Sequence, residues 1–222
     1  MIKKETLHFL KDVDQNNNRE WFAENKERYE AAKGDLLQFI AALIPLLAKT
    51  DPVFSIDTQP KKCLLRIYRD VRFSKNKDPY KTNYGIYFAP VGKHVNQPGY
   101  YLHLQPGKSF FAGGYWMPEA SDLKLIREEI DYSGDEFKAI VEAPAFTKYF
   151  HLTKEDTLKK APKGYDTDHP LIDILKLKSF EAIYPLKDEE FSKPGILAKL
   201  DAGFKTVYPL IAFLRTAVSN TN

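Results

Sequence analysis

The sequence predicts an α+β fold, with an antiparallel sheet in the middle of the chain packed by N-terminal and C-terminal helices. Three observations predict it. Apolar residues at Tyr29, Ala32, Leu36, Ile40, Leu43 and Leu47 recur every three or four positions, the period of a helix with one buried stripe. Between residues 62 and 115 the pattern changes to short aromatic and aliphatic runs broken by turn residues, the mark of strands. From Leu197 the helical period returns, through Leu200, Phe204, Val207, Ile211, Leu214 and Val218. Strands grouped between helical blocks, rather than alternating with them, place the chain in the α+β class. With no repeat, low-complexity stretch or linker, one domain over residues 1–222 is expected.

Taken in order, a short helix is expected around Glu5 to Val13. Asn17 followed by Glu20 fits a capping box for the long helix behind it. Gly34 predicts a bend or a stop there, with Asp35 as a new cap, and Pro45 interrupts the same pattern. Strands are predicted over residues 62–68, 84–89, 100–105 and 109–115. Pro106-Gly107 suits the centre of a tight turn and makes the last two a hairpin; the connection from Val91 to Pro98 joins the second and third. Helices then follow behind Ser121, around Phe137 to Val141, and behind Asp168 as a cap. Residues 179–186 form one more strand, and Pro209 kinks the closing helix. The pair Gly113-Gly114 marks a bulge or a close approach of backbone or ligand, and Trp116 after it is expected in the core.

Apolar residues make up 43% and charged residues 28% of 222, which excludes a disordered chain. The one cysteine, Cys63, reads as a small buried hydrophobe. The charged N-terminus lacks an apolar signal region, and no apolar run reaches the ~18 residues that span a bilayer. A cytoplasmic location without a membrane partner is therefore expected. Familiar catalytic signatures fail. Gly107-Lys108-Ser109 imitates the end of a phosphate-binding loop but lies in a hairpin turn. The histidines at 8, 94, 103, 151 and 169 have no metal-ligand spacing, so no metal and no cofactor is expected. His103 points off its strand, which alone is weak evidence for a ligand. The acids of Asp188-Glu189-Glu190 suit the first turn of a helix.

Charge distribution carries the main signal. Between Lys61 and Lys81, eight Lys and Arg stand against Asp70 and Asp78, while the net charge of the whole chain is only +3. If a strand continues past Tyr68, Leu65, Ile67, Val71 and Phe73 share one face, and Arg66, Tyr68, Asp70 and Arg72 the other. Arg69 then points inward and needs a partner. Guanidinium and ammonium groups at this density suit a phosphate or carboxylate. The candidate anion ligands are Arg66, Arg72, Lys75, Lys77 and Lys81, with Tyr68, Tyr80 and Tyr101 lining the pocket. Arg69 with Asp70 supports the scaffold, and Phe73 and Pro79 anchor the lysine loop. An internal salt-bridge network would use the same residues. A nucleic-acid partner is not expected, because the basic excess is confined to one segment.

The same segment carries a resemblance. The string from Arg69 to Thr82, Arg-Asp-Val-Arg-Phe-Ser-Lys-Asn-Lys-Asp-Pro-Tyr-Lys-Thr, resembles the signature of the uncharacterised bacterial and fungal family known as domain of unknown function 2461. Asn16-Asn17-Asn18-Arg19-Glu20-Trp21-Phe22, Gly99-Tyr100-Tyr101, Gly113-Gly114-Tyr115-Trp116-Met117-Pro118, His169-Pro170-Leu171-Ile172 and Pro209-Leu210 match it too. The resemblance covers nearly the whole chain. It implies a single domain and names no catalytic or binding residue.

Overall fold

The first fifty residues contain no proline before Pro45, and they fold as helices. The computed structural model describes residues 1–90 and 95–219. It opens with α1 (Lys4–Gln15), α2 (Arg19–Glu24) and α3 (Lys26–Thr50). Contrary to expectation, α3 runs unbroken through Gly34 and Pro45. One glycine costs a helix only ~1 kcal/mol, less than the packing of the stripe from Ala32 to Leu47 returns. Asp35, expected to restart the helix, is buried inside it. Its carboxylate accepts from the Lys3 amide (2.8 Å) and the Thr6 hydroxyl (2.6 Å), which ties the start of α1 to α3. By length and apolarity α3 could cross a membrane, with mean hydropathy 1.5 in its most apolar window. Its apolar stripe is nevertheless buried in protein, as in a core helix. The cap of α2 is Asn18, which accepts from the Trp21 amide (2.9 Å), not Asn17.

The remaining elements are α4 (Pro60–Cys63), β1 (Tyr84–Phe88), β2 (Gly99–Leu104), β3 (Phe110–Tyr115), α5 (Ala120–Tyr132), α6 (Gly134–Val141), α7 (Pro144–Thr147), β4 (His151–Leu152), α8 (Ile172–Leu175), β5 (Phe180–Pro185) and α9 (Ile196–Ser219). The strands form an antiparallel sheet in the order β1-β2-β3-β5-β4. In the outer pair, His151 stands opposite Ile183 and Leu152 opposite Ala182. The β2–β3 hairpin turns at Pro106-Gly107. There the Asp188 carboxylate accepts from the Gly107 amide at 2.9 Å, a tie the sequence reading did not give Asp188. Residues 91–94 of the connection expected between β1 and β2 lie outside the described residues.

One predicted strand is absent. Lys62 and Cys63 belong to α4, where Pro60 fills a first-turn position that needs no amide. Residues 64–68 then run beside β1 with only isolated bridges, Leu64 to Ile86 and Tyr68 to Tyr80. Between the two bridges, three residues on one side thus face five on the other. The excess is taken up by a bend at Thr82 and Asn83, and a regular ladder cannot form.

The chain divides into two compact units. The first comprises Met1–Lys93, Tyr101–Phe111 and Pro185–Ala202. Leu10, Val13, Leu36, Phe39, Leu43, Ile86 and Phe88 are buried in it. The second comprises His94–Tyr100, Ala112–Tyr184 and Gly203–Asn222. In it Phe204 of α9 meets Tyr100 edge-on at 5.4 Å, and α9 continues through Pro209. A Cβ on Gly114, whose φ is +140°, would lie 2.0 Å from the Phe180 carbonyl oxygen, so glycine alone lets β5 approach. Trp116, expected in the core, is 62% exposed. The turn is held by its backbone instead. The Met117 amide donates to Ser179 Oγ (2.9 Å), and its carbonyl accepts from Asn96 Nδ2 (2.8 Å). Helix α8 begins after Leu171, so Asp168 is not its cap.

Candidate anion-binding site

Strand β2 alternates. Tyr100, Leu102 and Leu104 are buried, while Tyr101 and His103 are half-buried on the other face, which Gln105 continues. A Cβ on Gly85 of β1 would lie 2.8 Å from the Tyr101 Oη and 3.0 Å from its Cε2. Gly85 therefore lets the tyrosine ring rest on the neighbouring strand. From there a hydrogen-bonded chain runs along the face. Tyr101 Oη is 3.0 Å from His103 Nδ1, His103 Nε2 is 3.0 Å from Gln105 Oε1, and Gln105 Nε2 donates to Thr82 Oγ1 at 3.2 Å. Because the Gln105 oxygen can only accept, this chain puts the imidazole proton on Nε2. Nδ1 then accepts from the Tyr101 hydroxyl, with Asn83 Nδ2 at 3.4 Å. The Phe110 ring stacks on His103 with centroids 4.8 Å apart. Burial, and then the Lys81 charge, push the His103 pKa down against the hydrogen bond to Gln105, so the ring is neutral at pH 7.

Lys81 borders this chain. Its amide donates to the Ile67 carbonyl (2.7 Å), which fixes it beside the strand-like stretch holding Arg66. Burial first, and the Arg66 charge second, lower the Lys81 pKa. Arg66 is also felt weakly by the Asp70 carboxylate without forming an ion pair. Among the described residues neither Arg66 nor Lys81 has a carboxylate partner. Two like charges thus lie within electrostatic reach of each other, and one of them, Lys81, within reach of His103 as well. Such a group of donors is suited to an anion. Among the described residues no His, Cys, Asp and Glu cluster could hold a metal.

Of the predicted ligands, then, Lys81 lies within electrostatic reach of Arg66 and of His103, which Tyr101 hydrogen-bonds. The others go elsewhere. Arg72 forks onto Asp70 (3.0 and 2.7 Å), and these bonds hold the Asp70 carboxyl at about 2. Asp70 is therefore engaged by Arg72. An Asx turn, in which the Arg72 amide donates to Asp70 Oδ1 (3.3 Å), folds the aspartate toward Arg72. Arg69 faces Asp78 instead, at 3.9 Å. Lys77 donates to the Val71 carbonyl (2.9 Å), and Lys75 is exposed. Phe73 is 96% exposed and anchors nothing, because the extended run ends before it.

Tyr68 and Tyr80 pack with each other and with Phe22 of α2. Tyr80 is buried and stacks on Phe22 of α2 at 3.9 Å, with Tyr68 5.4 Å away. The Asn17 side chain clamps the Tyr80 backbone, accepting from its amide (3.1 Å) and donating to its carbonyl (3.0 Å). Sequence reasoning missed Asn83, Gln105 and Gly85. The polar alternation Tyr101, His103, Gln105 was the signal for the second of them. His169 offers no rival site. Its Nε2 bonds Asp131 (2.9 Å) and its Nδ1 accepts from the Leu171 amide (3.0 Å), so both ring nitrogens are engaged.

The fold is α+β, and on β2 a histidine–tyrosine pair lies within electrostatic reach of Lys81. The profile of a family described as "Conserved hypothetical protein (DUF2461)" matches residues 5–213, and the chain belongs to that family. No curated protein and no solved structure matches it.

Proposed function

We propose that this chain binds a small phosphorylated or carboxylated ligand between Arg66 and Lys81, with Asn83 as a neutral donor and the Tyr101 ring at the edge of the site. The observation that carries this reading is the half-buried Lys81. Burial and a second cation both disfavour its charge, and no carboxylate among the described residues pairs with it. An anion placed there would supply the missing charge. Arg72, Asp70, Arg69 and Asp78 act as loop scaffold, and this part of the basic segment favours the salt-bridge reading. Stacking of nucleic-acid bases is disfavoured, since His103 and Phe110 turn their ring faces toward each other. Thermal melts with phosphate, phosphomonoesters and dicarboxylates test the proposal. An anion should raise the melting temperature of the wild type and of Arg72→Ala, but not of Lys81→Met. No shift with any anion would remove the basis of the reading.

A further inference from the structure

We infer that the loop between Arg69 and Pro79 is a docking finger for an anionic membrane surface, with Phe73 entering the headgroup layer. The Tyr68–Tyr80 bridge and the bond from the Arg69 amide to the Pro79 carbonyl (2.9 Å) close the loop at its base. Phe73 falls near the middle of the loop and is almost wholly in water, an unusual place for so large an apolar side chain.

Several polar groups of the finger pair internally. Asp70 takes the Arg72 amide and guanidinium, Asn76 Oδ1 takes the Asp78 amide (2.8 Å), and Lys77 takes the Val71 carbonyl. These groups keep their partners when the loop leaves bulk water, which removes the main penalty for entering an interface. The charge is complementary as well. Lys75 and Lys77 on the finger form no ion pair with a carboxylate among the described residues, and cations beside an apolar side chain are drawn to anionic lipid. Single-stranded nucleic acid would want a series of exposed rings along a groove, whereas this loop offers one. The contact is with the bilayer surface, requires no spanning segment, and is independent of the ligand reading above.

Flotation of the full chain with vesicles tests the inference, comparing phosphatidylcholine alone with the same lipid containing about 30% phosphatidylserine. The expected result is binding only to the anionic vesicles and weakening with salt. Phe73→Ala should reduce it roughly fivefold and Lys75→Glu at least as much. Melting temperatures of both variants should stay unchanged, because both side chains are exposed, and Lys81→Met should float like the wild type. Three results would overturn the inference: no flotation with anionic vesicles, equal flotation of Phe73→Ala, or a Phe73-dependent binding of oligothymidylate that exceeds binding to vesicles.

Discussion

Replacing Gly85 with alanine tests how the sheet positions Tyr101. The new methyl would lie 2.8 Å from Tyr101 Oη and 3.0 Å from both Tyr101 Cε2 and Leu65 Cδ1. The ring cannot simply rotate away, because its hydroxyl is bonded to His103 at 3.0 Å and the site is half-buried. Overpacking of this kind costs ~1–3 kcal/mol, and the stiffer unfolded chain returns ~0.4–1 kcal/mol. The net destabilisation should be about 1–2 kcal/mol, or roughly 2–8 °C in melting temperature for a chain of this size. A double-mutant cycle with Tyr101→Ala separates this clash from other effects. Once the ring is gone, most of the cost of Gly85→Ala should vanish, giving a coupling near 1 kcal/mol. An additive cycle, or an alanine variant as stable as the wild type, would refute the close approach. The same variant should also weaken any anion-induced stabilisation, because Tyr101 is displaced.

Other outcomes follow from the clamps and charges. Asn17→Ala leaves the amide and carbonyl of buried Tyr80 without their side-chain partner, so urea unfolding should show a loss of about 2–4 kcal/mol. A loss below about 0.5 kcal/mol would mean that water replaces the clamp. Arg69→Ala should cost no more than about 1 kcal/mol, because its ion pair is long and its partner half-exposed. A loss of several kcal/mol would instead indicate a buried pair. His103, facing Lys81, Tyr101, Gln105 and Asn83, has its folded pKa below the unfolded value. The neutral ring's contribution is complete above the unfolded imidazole value of about 6.5 and falls away as pH drops through the lower folded pKa. Wild type should therefore lose more stability between pH 7 and 5 than His103→Gln does. Equal slopes would show that His103 is not held neutral.

Much of the architecture was legible because it depends on local period. The stripe from Tyr29 to Leu47, the runs at β1, β2 and β3, the Pro106-Gly107 turn and the closing helix all appear where spacing put them. What failed were rules applied one residue at a time. Gly34 reads as a helix breaker, but a continuous buried stripe outweighs it. The alternation past Tyr68 leaves open whether a strand continues, and it does not: Asp70 and Asn76 are residues that form Asx turns, and both do so here. Only a continuing strand would have put Phe73 on one face with Leu65 and Ile67. Of the candidate site, the sequence singled out the segment but could not separate Arg66 and Lys81 from Arg72 and Lys77. The separation depends on which carboxylate or carbonyl each cation meets in the folded loop. The clamp of Asn17 on Tyr80, 63 residues away, leaves no local signal at all.

Calorimetric titration of a phosphomonoester into four proteins tests the central claim most directly: wild type, Arg66→Met, Lys81→Met and Arg72→Ala. If Arg66 and Lys81 form the site, each methionine variant should lose roughly tenfold or more in affinity, since a charge-assisted hydrogen bond contributes ~1.5–3 kcal/mol. Arg72→Ala, which removes a cation already paired with Asp70, should bind like the wild type. Affinity lost equally in Arg72→Ala, or retained in Lys81→Met, would contradict the assignment.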